Sequence, residues 1–385
     1  MTTDDRPATS GDIIECAISD AFAAWMSQAG GSIVLTTYQA GKVAMIGWDG
    51  RQVTLLMRQF EKPMGLALSA GDLVPGHDRG LSGNAAGVRR IALATRHDVV
   101  LFADAPLLAP DYLETQRGRY DSLLLPRASF HTGDINVHDL AFDRDEKLWV
   151  VNTRFCCLSH LSERYSFEPV WKPPFVSEIV PEDRCHLNGL AMVDGRPKYV
   201  TCLGETDVVG GWREKKATGG CVVDVDSNQV IARGFAMPHS PRWYQNKLYF
   251  CNSGAGELCG LDPKTGKHQV VCTLPAYLRG LSFAGPFALV GMCQIREKHI
   301  FGNLPVQSRF GKLLCGVNVI DLRSGQSVGM LEFTRGCQEL FEVQFIPGLR
   351  RPMILSLQKD ATRDAFTAPQ FSYWLRPSNE IPPGR

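Results

Sequence analysis

Two stretches decide the fold. His138-Asp139-Leu140-Ala141-Phe142 is followed by the turn Asp143–Lys147 and then Leu148-Trp149-Val150-Val151-Asn152-Thr153. His239-Ser240-Pro241-Arg242-Trp243 is followed by Tyr244–Lys247 and then Leu248-Tyr249-Phe250-Cys251-Asn252-Ser253. They are near-copies a hundred residues apart, and an internal repeat outweighs any local propensity in assigning architecture. The first half of the unit, one residue followed by roughly Gly-Leu-Ala-Phe, returns six times in all. The other copies are Met64-Gly65-Leu66-Ala67-Leu68, Asn188-Gly189-Leu190-Ala191-Met192, Arg279-Gly280-Leu281-Ser282-Phe283 and Phe341-Glu342-Val343-Gln344-Phe345.

Around these phrases the chain is a series of short β-branched and aromatic runs cut by Gly, Asp, Asn and Pro, among them Ser32–Thr37, Lys42–Trp48, Arg89–Thr95, Gly220–Val225 and Leu314–Asp321. Such runs point to an all-β sandwich, barrel or propeller. Spacings of 40 to 74 residues between phrases suit four-stranded blades with unequal loops, whereas a solenoid tolerates less variation. The expectation is a single β-propeller of about six four-stranded blades over residues 32–362. A tail and short N-terminal helix occupy 1–31, and a Pro-containing tail occupies 363–385, lying on the surface or loose. The helix is placed at Asp12–Gln28, where Ile14, Ile18, Phe22, Trp25 and Met26 share a face and Gly30-Gly31 stops it. Ser32–Thr37 and Lys42–Trp48 precede the first phrase, so they are expected to complete the last blade and close the ring. Gly71–Gly87 and Ala105–Pro126 read as loops over one end.

Composition narrows the function. Of 385 residues 44% are hydrophobic and 21% charged, with a formal net charge of +1, which gives no footprint for nucleic acid or an anionic membrane. The polar start, Met1 to Gly11, is not a secretory signal, and no apolar run is long enough to span a bilayer. The expected location is cytoplasmic. There the twelve cysteines, many inside apolar strands, stay reduced. No Cys-x-x-Cys pair marks a zinc ribbon or redox motif.

Residues two apart on a strand share a face, so each phrase puts its first residue in one common slot: Met64, His138, Asn188, His239, Arg279 and Phe341. Two residues earlier stand Lys62, Asn136, His186, Met237, Tyr277 and Glu339. With the phrase as innermost strand, both sets ring the mouth of the central channel. Three of the nine histidines fall among these positions. His138, His186 and His239 are therefore candidate ligands for a divalent transition metal (Zn, Mn, Fe or Cu), with an open position for water or substrate. Glu339 is the candidate base or fourth ligand, and Arg279 the anchor for a carboxylate or phosphate. Asn188, Trp212, Arg213 and Arg242 are candidate substrate contacts, the tryptophan and its neighbouring arginine by stacking. The bland alternative is that each histidine only bonds backbone in the next blade.

Arg184-Cys185-His186-Leu187-Asn188-Gly189-Leu190-Ala191, Gly210-Gly211-Trp212-Arg213-Glu214, Met237-Pro238-His239-Ser240-Pro241-Arg242-Trp243 and Asn252-Ser253-Gly254-Ala255-Gly256-Glu257-Leu258 resemble a bacterial family of conserved hypothetical proteins. The resemblance runs from about Ser32 to Leu357 and implies a single propeller. Some relatives are described alongside tetratricopeptide repeats, which this chain lacks. A looser likeness joins Leu187-Asn188-Gly189-Leu190-Ala191 to six-bladed propellers of the gluconolactonase and strictosidine-synthase-like group, where a Pro-Asn-Gly-Leu carries a metal-binding Asn. Leu187 departs from that pattern, and His138 and His239 stand where oxygen donors would suit calcium. The functional expectation is thus a metal-dependent enzyme acting on a small molecule or peptide at the channel mouth, whether hydrolase, lactonase, lyase or oxidase. The alternative is a non-catalytic propeller that binds a ligand or a protein partner.

Overall fold

A computed structural model describes residues 13–69, 90–295 and 302–375. Six antiparallel sheets stand around one axis, and the six repeated phrases supply their innermost strands: Leu66–Ser69, Val137–Phe142, Leu187–Val193, Pro238–Tyr244, Tyr277–Ala284 and Val343–Pro347. Numbering the blades by these strands, each inner strand contacts those of the blades before and after it, the sixth meeting the first. The ring is closed.

The blades are buried on both faces, so their middle strands do not alternate. Ile33, Val34 and Leu35 are all fully buried, the first and third facing blade five and the second facing blade one. Every interface between neighbours has its own apolar cluster. Val151 and Leu158 meet Leu190 and Val200 between blades two and three, and Phe235 and Phe250 lie 4.7 Å apart between three and four. Each fully buried side chain of this size contributes about 1.5–3 kcal/mol against exposure, and the burial is shared around the ring.

Blade six is built from both halves of the chain. Its inner strand, Val343–Pro347, pairs with Gly31–Thr37, which continues through Lys42–Trp48 to Val53–Gln59. The expected closure is therefore present. Pro352–Ile354 then adds a parallel outer strand to blade one beside Ser122–His131.

The N-terminal helix is shorter than its periodicity suggests. Helix α1 spans Asp20–Gln28, with Ser19 capping it by accepting a bond from the Phe22 N–H at 3.2 Å. The residues before the cap form a strand, Glu15–Ile18, on the outer edge of blade five. An unpaired sheet edge outcompetes a helical turn there, because it satisfies the backbone groups of two segments at once. Asp12 lies outside the described residues, as do Met1–Gly11 and Gly71–Gly87.

The Ala105–Pro126 segment has two single turns, Ala109–Asp111 and Glu114–Gln116, but its end already belongs to the strand Ser122–His131. In the C-terminal tail Ala365–Ala368 and Phe371–Trp374 pair as a hairpin, and Trp374 donates its indole N–H to the Leu108 carbonyl at 3.2 Å. The described residues include two helices, α1 and the short α2, Pro305–Arg309, and no tetratricopeptide pair. No helix among them is long and apolar enough to cross a membrane. All twelve cysteines are free thiols.

Candidate active site at the channel mouth

The two near-copies place their histidines by the same device. The His138 Nδ1 lies 3.1 Å from the Asn136 carbonyl and 2.8 Å from the Thr153 hydroxyl. The His239 Nδ1 lies 2.8 Å from the Met237 carbonyl and 3.1 Å from the Ser253 hydroxyl. The carbonyl comes from two residues back, and both Asn136 and Met237 adopt positive φ, 57° and 52°. The hydroxyl comes from the end of the second strand, where the repeat puts Thr153 and Ser253. His186, also at positive φ (50°), is held by the Asp183 carboxylate, 2.9 Å from its Nδ1. Each ring thus donates from Nδ1 to a fixed acceptor, and the tautomer leaves the Nε2 lone pair as the available donor.

Contacts link these residues around the mouth. The His138 and His186 rings meet edge to face at 4.7 Å, and Trp212 packs on His186 at 4.5 Å. Trp212 is buried, donates its indole N–H to Asp183 at 3.1 Å, and carries the Arg213 guanidinium 4.4 Å over its ring. On the far side Phe341 touches His138 at 5.2 Å, and the Arg279 guanidinium sits 3.6 Å over the same phenyl ring. His239 packs against Tyr277, ring centroids 5.6 Å apart. Slot residues of blades two, five and six therefore meet at the mouth, as the register requires. Beside them a pocket of about 280 Å3, open mouth included, is lined by Tyr38, Tyr277, Arg279, Cys293, Gln294 and Glu339.

Burial, with the charge of Arg279 and the neighbouring imidazole His186, holds His138 and His239 well below the ordinary imidazole range, so both are neutral near pH 7. Burial pushes the Tyr277 phenol and the Cys293 thiol up, which keeps both protonated. Among the described residues no three His, Cys, Asp or Glu side chains are assembled as a metal site.

Two expected substrate contacts are engaged elsewhere. The Asn188 amide donates to the Pro238 carbonyl at 2.8 Å and accepts from the Thr201 hydroxyl at 2.6 Å, tying blade three to blade four. Arg242 lies one layer deeper, its Nη1 2.7 Å from the Asp139 carboxylate and its Nη2 3.0 Å from Glu342. This buried triad joins blades two, four and six across the channel, and sequence reading missed its two acids. The signal was in the phrase itself: the position after the slot is Gly65, Gly189, Ser240 or Gly280 in four blades and a carboxylate in the other two. Asp183, three residues before His186, is the other missed residue.

A family model for a domain of unknown function, DUF4915, matches residues 20–355. The chain belongs to that family. DUF4915 membership agrees with the expected propeller family of uncharacterised activity and adds no tetratricopeptide feature. No curated protein matches in sequence. In the crystal structure of a nidogen/laminin complex, one chain is 8% identical, with TM-score 0.51 over 83% of this chain and 99% of that one. A protein of unknown function from Bacteroides caccae is 10% identical, with TM-score 0.48 over 82% and 99%. Virginiamycin B lyase from Staphylococcus aureus is 11% identical, with TM-score 0.38 over 73% and 96%. The first supports the fold alone, and the lower scores of the other two carry no weight.

Proposed function

We propose that the channel mouth is an enzyme active site for a small anionic molecule, with His138, His186 and His239 as donors for a divalent transition metal, Zn, Mn, Fe or Cu. The supporting observation is the pinning of all three rings through Nδ1, which presents three Nε2 lone pairs from three blades. Outer partners of this kind characterise metal-binding histidines. The donor chemistry fits a transition metal. The convergence is incomplete, since no three-ligand cluster is assembled among the described residues, and binding would draw the rings together. A bound metal would act as Lewis acid or lower the pKa of a bound water.

The chain's own groups support the anionic substrate. Arg279 offers a planar pair of donors suited to a carboxylate or phosphate. Glu339 and the protonated Tyr277 line the same pocket, and Trp212 with Arg213 stands against His186.

The test is metal analysis of untagged protein after equilibration with each of the four ions. About one ion per chain is expected, lost in the His138→Ala/His239→Ala variant while its fold, read by circular dichroism, persists. Metal-free wild-type protein, or equal uptake by the variant, overturns the metal assignment. Binding of anionic metabolites that survives Arg279→Gln unchanged would place the ligand elsewhere.

A further inference from the structure

A large cleft lies away from the channel mouth, at the seam between blades six and one. It is about 1290 Å3 including its open side, and it shares no lining residue with the mouth pocket. We propose that this cleft binds a phosphate-bearing small molecule of nucleotide size.

Four guanidiniums line it, Arg51, Arg117, Arg119 and Arg351, against a single lining carboxylate, Asp49. On a chain whose net charge is only +1, that is a local concentration of positive charge. The nearby acids Asp49, Asp111 and Asp121 offset part of it, and two of them also order the loops. Asp49 accepts the backbone N–H groups of Arg51 and Gln52 at 2.8 and 2.9 Å, so its oxygen closes a turn. Asp121 likewise holds the backbone N–H groups of Arg350 and Arg351, at 2.7 and 3.0 Å. Arg117 has Asp111 at 3.5 Å, and Arg51 and Arg351 both act on the Asp49 carboxylate. Arg351 turns one nitrogen to the Gly118 carbonyl, 3.1 Å away, which fixes its direction without neutralising it.

Like charges held together repel unless an anion joins them. Arginine's fork matches the oxygens of a phosphate better than a lysine ammonium does. Several guanidiniums around one cleft suit an anion with several phosphoryl oxygens rather than a lone carboxylate. The cleft also has an apolar side. Met45, Leu55, Leu56 and Pro352 line it, and Tyr120 presents a ring with the Arg119 guanidinium 5.6 Å from its centroid. A ligand with a planar body and a phosphate tail would meet both surfaces. Drug-sized ligand pockets run about 300–1,000 Å3, and the roughly 590 Å3 of this cleft that water can occupy has room for a nucleotide.

The test is isothermal titration of the full chain with ATP, inorganic tripolyphosphate and adenosine, repeated with Arg51→Glu/Arg119→Glu. Both arginines are exposed, so the variant should keep its melting transition. ATP and tripolyphosphate should bind and adenosine should not. The variant should weaken both anions at least tenfold, and added salt should weaken wild-type binding. No anion binding at millimolar concentration, unchanged affinity in the variant, or binding confined to long polyanions such as heparin would each overturn the proposal. Metal uptake at the channel mouth should be the same in variant and wild type, which separates failure here from failure there.

Discussion

Thr153 does two jobs with one hydroxyl: it meets the His138 Nδ1 and donates to the Leu187 carbonyl at 2.6 Å. Thr153→Val keeps the shape and removes both contacts, which should cost about 1–2 kcal/mol on the scale of a lost buried hydrogen bond, measured by urea unfolding. Nitrogen-15 correlation spectra should show the Nδ1–H tautomer for His138 and His239 in the wild-type protein. Loss of that signature for His138 alone in Thr153→Val would confirm the hydroxyl's part in fixing the ring. Glu342 predicts a pH effect. Burial and the neighbouring Asp139 charge raise its carboxyl to about 7, against the pull of Arg242. The folded state therefore holds a proton that the unfolded chain releases near the ordinary glutamate value of 4.5, and the linkage gives stability present below that value and lost as pH rises through about 7. Groups facing it are Arg242, Asp139 and Gln344, which donates its amide to Glu342 at 3.0 Å. Glu342→Gln should flatten the fall in melting temperature between about pH 5 and 7; an unchanged profile would assign the slope to other groups. The three histidines were legible because they share a repeat register. Arg242 was visible as a charge, but not its burial on two acids, since pairing across a channel leaves no local pattern in sequence.

Strands were the most legible elements. Inner phrases, second strands and the ring-closing pair all follow from hydrophobic runs between turn residues, and the repeat fixes their register. Helix α1 was legible in its buried face, Phe22, Trp25 and Met26, but not at its start, because both a helix and an edge strand fit Ile14 and Ile18. The inner strands also show why the phrase carries glycine. A Cβ on Gly189 would lie 2.2 Å from Cδ of Pro241 and 2.9 Å from the Thr201 hydroxyl. The proline ring cannot rotate away, so blades three and four approach this closely only without a side chain. Gly189→Ala should lower the unfolding free energy by about 1–3 kcal/mol, as overpacking does. The denaturant midpoint reads this directly, and an unaffected midpoint would show that the two strands can separate without cost.

At the scale of the molecule, stability depends on joining the two ends of a ring. Val343–Pro347 is the inner strand of a blade whose other strands come from the N-terminal half, and Glu342 just before it meets Arg242 of blade four across the channel. Replacing that arginine, as in Arg242→Met, leaves two buried carboxylates without their cation, a loss of about 3–5 kcal/mol when one partner of a buried pair is removed. Pro352–Ile354 is a second clasp, closing over blade one with Met353, Ile354 and Leu355 fully buried. These two devices differ in what they hold, and truncation separates them. A chain ending at Gly348 keeps the sixth blade complete, loses the second clasp, and uncovers Leu123 and Leu125. It should remain a cooperative folder with a lower melting temperature. A chain ending at Leu340 leaves Gly31–Thr37 with a bare inner edge and Arg242 without Glu342. It should lose cooperative unfolding and aggregate, because an open propeller exposes both an unpaired strand and the apolar faces of two blades. A synthetic peptide spanning 341–357 should restore the transition when added to the shorter chain. Were the Leu340 truncation to melt as sharply and as high as the Gly348 one, closure through the sixth blade would not be what holds the ring, and packing between adjacent blades alone would have to account for its stability.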